Sequence, residues 1–223
     1  MYNQIVALIL IVVAFFFGSI PFGYLIVKLL YRADIRLLGS GNIGMTNVWR
    51  NFGWKPGLAT LILDFLKGLA PVVLAFFILR TQYSFPHPYL VKSQNGSFFS
   101  SYISSGEFVL TFVAIFAILG HTFTPWLSFK GGKGFATALG AMAGLLQVYL
   151  LIPLGVFLIF FLMFRFVSLG SITASFAFLL ATLFIPHLRF YIPLGVVLVL
   201  VILYTHRENI SRLISGTEPR FNL

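Results

Sequence analysis

A chain of 223 residues that is 59% hydrophobic and only 9% charged is not a soluble globule, in which about a quarter of the residues carry charge. Its net charge of +10 would suggest nucleic acid in a soluble protein, but here most cations sit between apolar stretches, where they set membrane topology or hold anions. With no cysteine there is no disulfide framework, no thiolate nucleophile and no Cys-based metal site. The four histidines are too scattered to predict a metal centre.

Crossing the hydrocarbon core takes about 20 apolar residues. The first such run, Gln4 to Leu30, lacks a basic leader and outlasts a signal sequence, so it reads as a retained span. The glycine-rich segment Gly39-Ser40-Gly41-Asn42-Ile43-Gly44 follows, and then Thr46, Asn47 and Arg50. A second span, Leu58 to Leu79, carries Asp64 and Lys67 at the i,i+3 spacing of an ion pair. Residues 81–106 read as a polar connector in which the Asn95-Gly96-Ser97 sequon is a turn. Phe108 to Leu127, which contains His121, leads into Lys130-Gly131-Gly132-Lys133-Gly134. The stretch Phe135 to Phe164 is either one long tilted helix or two short ones hinged near Pro153. Leu169 to Ile185 and Phe190 to Tyr204 complete the spans, and His206-Arg207-Glu208-Asn209 follows.

Sidedness favours the two-helix reading of 135–164, because each choice assigns every later loop to a side. With two helices, Lys28, Arg32, Arg36, Arg50, Lys55, Lys130, Lys133, Arg165, Arg207, Arg212 and Arg220 share one side, against Arg80, Lys92 and Arg189. With one helix the imbalance nearly vanishes. The expected architecture is therefore an all-α integral membrane protein, a single domain over 1–223 with seven transmembrane helices, its N-terminus outside and its C-terminus cytoplasmic. That topology puts all three glycine or histidine segments on the cytoplasmic face.

The motifs narrow the chemistry. Gly39 to Gly44 fits G-x-G-x-x-G, yet a membrane span precedes it, so the strand-loop-helix context of a dinucleotide site is missing. Its glycines let an anion approach the backbone, and Ser40, Asn42, Thr46, Asn47 and Arg50 supply hydroxyl, amide and guanidinium partners. A capped polar loop is the plain structural alternative. Lys130 to Gly134 is no Walker A loop, since Gly134 stands where Ser or Thr is required. Two lysines among glycines at a helix mouth nevertheless suit phosphate. His206, ending a span beside Arg207, is a better functional candidate than His121, which reads as packing. Ser168 and Ser171 lie at a further helix mouth, as caps or as a wall of the site. No histidine is followed by the His-x-x-x-x-Asp pattern of a charge-relay acyltransferase.

Several ordered motifs then carry a family likeness: Gly18-Ser19-Ile20-Pro21-Phe22-Gly23-Tyr24, Gly39 through Val48, Gly120-His121, Phe129 to Gly134 with Ala136-Thr137, and His206-Arg207-Glu208-Asn209. Together they closely resemble the bacterial acyl-phosphate:glycerol-3-phosphate acyltransferases over nearly the whole chain. Met45 stands where that family usually has Ala, Thr124-Pro125 where Pro and an aliphatic are typical, and the 81–106 connector is long. The resemblance implies a seven-helix enzyme of the bacterial cytoplasmic membrane, its active site facing the cytoplasm, that makes lysophosphatidic acid and phosphate without cofactor or metal. By motif, Ser40, Arg50, Lys133, His206 and Asn209 would hold glycerol 3-phosphate. Asn42, Thr46, Lys130, the Gly131 and Gly132 amides, Ser168 and Ser171 would position the acyl phosphate. Lys133, His206 and Ser168 are the expected catalytic group, with the acyl phosphate itself taking the hydroxyl proton and His206 as the competing base. A transporter of a small phosphorylated metabolite is the rival function. The expected partners are the two substrates and the bilayer, with no nucleic acid; the sequence leaves the oligomeric state open and is compatible with a monomer.

Overall fold

A computed structural model describes residues 2–81 and 106–221. Residues 82–105 of the connector, with its Asn95 sequon, therefore lie outside the described residues. Among the described residues every regular element is helical. Among these same described residues, six stretches are long and apolar enough to cross a membrane: Gln4–Tyr31, Trp54–Leu79, Gly106–Leu127, Phe135–Phe164, Val167–Phe184 and Pro186–Thr205.

The first stretch is two helices, α1 (Tyr2–Gly18) and α2 (Phe22–Tyr31). Pro21 has no N–H and pushes its predecessor out of helical geometry, so the ladder breaks at Ser19-Ile20. Other spans satisfy the carbonyls this break frees. Thr124 Oγ1 donates to the Ser19 carbonyl at 2.6 Å and Lys67 Nζ to the Ile20 carbonyl at 2.7 Å. Trp126 Nε1 donates to Ser19 Oγ at 2.8 Å. The short α3 (Met45–Phe52) meets α4 (Trp54–Leu79) at Gly53, whose φ of +91° makes the corner and suits a residue without a Cβ.

α5 (Gly106–Thr122) is the central post of the bundle, with Val113, Ala114, Ala117 and Ile118 fully or almost fully buried. Around it, glycines bring backbones into contact, as is usual where lipid supplies no hydrophobic drive between helices. Gly18 of α1 lies on the Ala117 backbone and Gly120 of α5 on the Phe15 carbonyl. α4 crosses α6 (Phe135–Leu146) reciprocally, Gly68 against the Thr137 carbonyl and Gly140 against the Phe65 carbonyl.

The stretch 135–164 is folded back on itself. α6 ends at Gln147, whose φ is +50°, and a 3-10 turn over Gln147–Leu150 leads into α7 (Leu151–Phe164). Phe135 stacks on Phe157 with ring centroids 5.0 Å apart, whereas one unbroken helix would separate those residues by about 33 Å. The bend is at Gln147 and not near Pro153. Pro153 occupies the first turn of α7, where its missing N–H has no intrahelical partner to lose. α8 (Val167–Phe184), α9 (Ile192–Thr205) and the amphipathic α10 (Arg207–Ile214) follow. Phe178, Leu194, Leu198 and Ile202 close the core against α5.

Candidate active site

The 135–164 hairpin brings the start of α6 and the start of α8 to the same end of the bundle, beside α3 and α10. Between them lies a cavity of about 740 Å³. Its polar wall includes Ser40, Asn42, Thr46 and Arg50, the α6 mouth at Lys133 to Ala136, Ser168 and Ser171 of α8, and His206, Asn209, Arg212 and Glu218. Leu61, Leu139, Leu154, Phe157 and Val167 line its other side. One cavity thus joins a cationic, hydrogen-bonding end to an apolar flank reaching between α4, α6 and α7.

The glycine-rich loop is shaped from within by Asn47. Its Oδ1 accepts from the Ser40 N–H at 3.0 Å and from Asn51 Nδ2 at 3.1 Å. Its Nδ2 donates to the carbonyls of Ile35, Leu38 and Asn42 at 3.3, 3.0 and 2.9 Å. Those bonds use the whole capacity of a carboxamide, so Asn47 holds the loop and has nothing left for a ligand. Asn42 Oδ1 caps the Gly44 N–H at 2.9 Å, which leaves the Asn42 amide group and the Thr46 hydroxyl facing the cavity.

The second segment divides. Lys133 lies in the wall, but exposed Lys130 and the two glycines Gly131 and Gly132 do not. The Gly131 N–H donates to the Thr122 carbonyl and the Gly132 N–H to the His121 carbonyl, each at 3.0 Å. The two amides expected to bind phosphate are therefore engaged in folding the loop onto α5. A Cβ at Gly132 would strike the His121 ring, so this glycine is present for close approach. Donors at the α6 mouth come instead one turn later, where Gly134, Phe135 and Ala136 present the helix N-terminus to the cavity.

Lys133 Nζ donates to Asn209 Oδ1, and burial lowers its pKa to about 8 against the raising pull of Glu218. His206 is depressed further, to about 4, first by burial and then by the Lys133 charge. Its Nδ1 lies 3.0 Å from the Ile202 carbonyl. A neutral ring placed so carries its proton on Nδ1, and its Nε2 is an acceptor.

Ser168 Oγ donates to Glu218 Oε1 at 2.6 Å and Ser171 Oγ to the Val167 carbonyl at 2.9 Å. While these bonds stand, neither hydroxyl has a proton for a phosphate oxygen. Glu218 is the residue that sequence reasoning missed. It also accepts from Asn209 Nδ2 at 2.6 Å and from Arg212 Nε at 2.8 Å. The tail around it is strapped down: Arg50 Nη2 donates to the Pro219 carbonyl at 3.0 Å, and the Phe221 N–H donates to the Arg165 carbonyl at 2.7 Å. Phe221 is buried against Trp49 and Phe161. The available signal was that one of only five acids in a +10 chain closely follows the basic His206 segment.

Asp64 and His121 also reach the cavity wall. The expected Asp64–Lys67 pair forms at 2.6 Å, and His121 Nδ1 lies 3.7 Å from the same carboxylate oxygen. Among the described residues no group of His, Cys, Asp and Glu could hold a metal ion.

A family model described as glycerol-3-phosphate acyltransferase matches residues 8–216. The chain belongs to the glycerol-3-phosphate acyltransferase family. Relatives of that name include proteins of Geotalea daltonii, 38% identical over 96% of this chain and 97% of the relative, and of Aquifex aeolicus, 39% identical over 96% and 99%. The fold is similar to that of PlsY (YgiH), an integral membrane glycerol 3-phosphate acyltransferase. Against its glycerol 3-phosphate form the TM-score is 0.80, at 38% identity, covering 97% of this chain and 96% of that one. Against its lysophosphatidic acid form the TM-score is 0.76, at 37% identity, covering 97% and 95%. Membership agrees with the resemblance carried by the glycine-rich and histidine motifs, and it makes the chain a multi-pass integral membrane protein.

Proposed function

We propose that the protein transfers a fatty acyl group from an acyl phosphate to the 1-hydroxyl of glycerol 3-phosphate, giving lysophosphatidic acid and inorganic phosphate. The observation that carries this reading is the single cavity whose cationic end adjoins an apolar flank, since the reaction must bring a phosphorylated polyol to an acyl chain. The relatives' shared name and the two ligand forms of PlsY support the acceptor and the product. The acyl phosphate as donor rests on the motif resemblance.

In this mechanism Arg50, Lys133 and Ser40 hold the glycerol 3-phosphate phosphate, and His206 Nε2 accepts from a glycerol hydroxyl to orient it. Asn42, Thr46 and the first-turn amides of α6 hold the acyl phosphate, whose chain lies along Leu139, Leu154 and Phe157. The hydroxyl oxygen attacks the acyl carbon, the new C–O ester bond forms, and the acyl C–O bond to phosphate breaks. Its electron pair leaves with phosphate, and a phosphate oxygen takes the hydroxyl proton. An imidazole that gains a proton only near pH 4 is a weak base, which favours proton transfer to the substrate. The protein's work is to hold two mutually repelling anions in line and to steady the developing oxyanion.

Topology is part of the proposal. Because 135–164 returns to its starting side, the parity of the chain is that of seven crossings, with the N-terminus outside and the cavity facing the cytoplasm of a bacterial cell. The test is conversion of acyl phosphate and glycerol 3-phosphate by purified protein in nanodiscs, with phosphate released one for one and Lys133→Ala slower by about 10²–10³-fold. Acylation from acyl-CoA but not from acyl phosphate would overturn the donor. Glycerol 3-phosphate uptake into vesicles without acylation would overturn the enzyme.

A further inference from the structure

The proposed mechanism uses Lys133 but leaves unexplained why a carboxylate stands among the cations of an anion site. Glu218 arrives from outside the three motif segments, on a tail anchored by buried Phe221. Its two oxygens take every proton offered: Oε1 from Ser168 and Asn209, Oε2 from Arg212. We infer that Glu218 is a positioning residue of the active site, whose carboxylate fixes the Asn209 amide so that Asn209 Oδ1 faces Lys133 and holds its ammonium at the phosphate site. This inference rests on the proposed acyl transfer and adds to it a residue that need not touch either substrate.

Donor and acceptor polarity carries the argument. Lys133 and Arg212 can only donate, so an oxygen must meet each. A carboxylate satisfies Arg212 with one oxygen, and its other oxygen forces Asn209 to turn its NH₂ toward Glu218 and its carbonyl toward Lys133. A carboxamide at 218 cannot repeat this. If its oxygen meets Asn209, its NH₂ faces Arg212. If its oxygen meets Arg212, its NH₂ opposes the Asn209 NH₂, and rotating Asn209 in response turns that NH₂ onto Lys133. Every arrangement puts two donors face to face. Glu218→Gln, with nearly the same shape, therefore breaks the relay that places Lys133.

The charge acts in the same direction. Several groups face Lys133: Glu218 from the tail, Glu208 and Arg212 from α10, Arg50 from α3 and His206 at the α9–α10 junction. Asp64 and His121 enter the wall from α4 and α5. Of these charges Glu218 most strongly supports the protonated lysine, and Arg212 most strongly opposes it.

The experiment is a pH series of kcat and KM, paired with calorimetric binding of glycerol 3-phosphate, which reads the site without turnover. Wild-type binding is expected to weaken as pH rises through about 8. Glu218→Gln is expected to raise KM and Kd for glycerol 3-phosphate about tenfold or more, leave kcat within about threefold and move the alkaline limb to lower pH. Glu218→Asp, which keeps the charge, restores the position of the limb. Arg212→Met moves it the other way, to higher pH, so the inference remains testable if Glu218→Gln does not fold. An unshifted limb in both Glu218→Gln and Arg212→Met, with activity falling only in step with thermal stability, would overturn the positioning role. Binding that shows these shifts in a protein that performs no acylation would keep the inference and remove the proposed function.

Discussion

Replacing Gly140 by alanine tests how tightly the active site depends on a helix crossing that contacts no substrate. An added Cβ would fall about 1 Å short of the 3.0 Å it needs from the Phe65 carbonyl oxygen. Both sides of that contact are backbone, so no rotamer relieves it, and α6 must move away from α4 by about that distance. Lys133 and the amide donors stand at the N-terminal end of α6, so the proposed phosphate site moves with it. Displacement of a reacting group by about 1 Å costs on the order of 10²-fold in rate. Gly140→Ala is therefore expected to lower kcat/KM by about that factor and to reduce thermal stability, although alanine is the better helix former by about 1 kcal/mol. Two other glycines serve as controls. A Cβ at Gly144 would meet the Val72 Cγ1 at 2.8 Å, a side chain that can rotate, and one at Gly155 would meet nothing within 4 Å. Steady-state acylation in nanodiscs, read beside thermal unfolding, should rank Gly155→Ala as wild type, Gly144→Ala as intermediate and Gly140→Ala as worst. Activity of Gly140→Ala within about threefold of wild type would refute the reasoning.

His206→Ala is expected to raise KM for glycerol 3-phosphate more than it lowers kcat if, as proposed, the ring orients the acceptor hydroxyl; a selective collapse of kcat with KM unchanged would make it the base. Since its pKa falls from 6.5 unfolded to about 4 folded, the unfolded chain binds the extra proton first, and stability should drop as pH falls through that window. A urea midpoint that stays flat over this window, or moves identically in His206→Ala, would contradict the assignment. Asn47→Leu strips partners from the Ile35, Leu38 and Asn42 carbonyls and the Ser40 N–H. At about 1 kcal/mol per bond it should destabilise by roughly 3–4 kcal/mol and raise KM for both substrates, and an unchanged melting temperature would show that the loop holds its shape without it.

The spans and the three polar segments were readable because hydropathy and charge are written residue by residue. The bend in 135–164 was readable only through the charges on either side of it. Its location was not, because the turn depends on one lone Gln147 taking positive φ within an unbroken apolar run, while Pro153 draws attention to a place where proline costs nothing. Residue type also cannot say whether a donor is already taken. Asn47, Gly131, Gly132 and Ser171 have the right groups for phosphate, but the fold has engaged them. Glu218 escaped for the opposite reason, since charge matching argues against an acid in an anion site until its three donors are seen.

The break between α1 and α2 has a consequence for how the chain enters the membrane. Asp64 and Lys67 lie near the middle of α4, and each such residue costs about 2.5–3.5 kcal/mol at the centre of a lone inserting helix. They pair with each other, and Lys67 also donates to the Ile20 carbonyl, an acceptor that exists because Pro21 interrupts the first span. A segment made before α4 therefore carries the acceptor that this later charged segment needs. Insertion of α4 is thus expected to couple to its docking on α1 and α2, and Pro21→Ala to make that insertion less efficient.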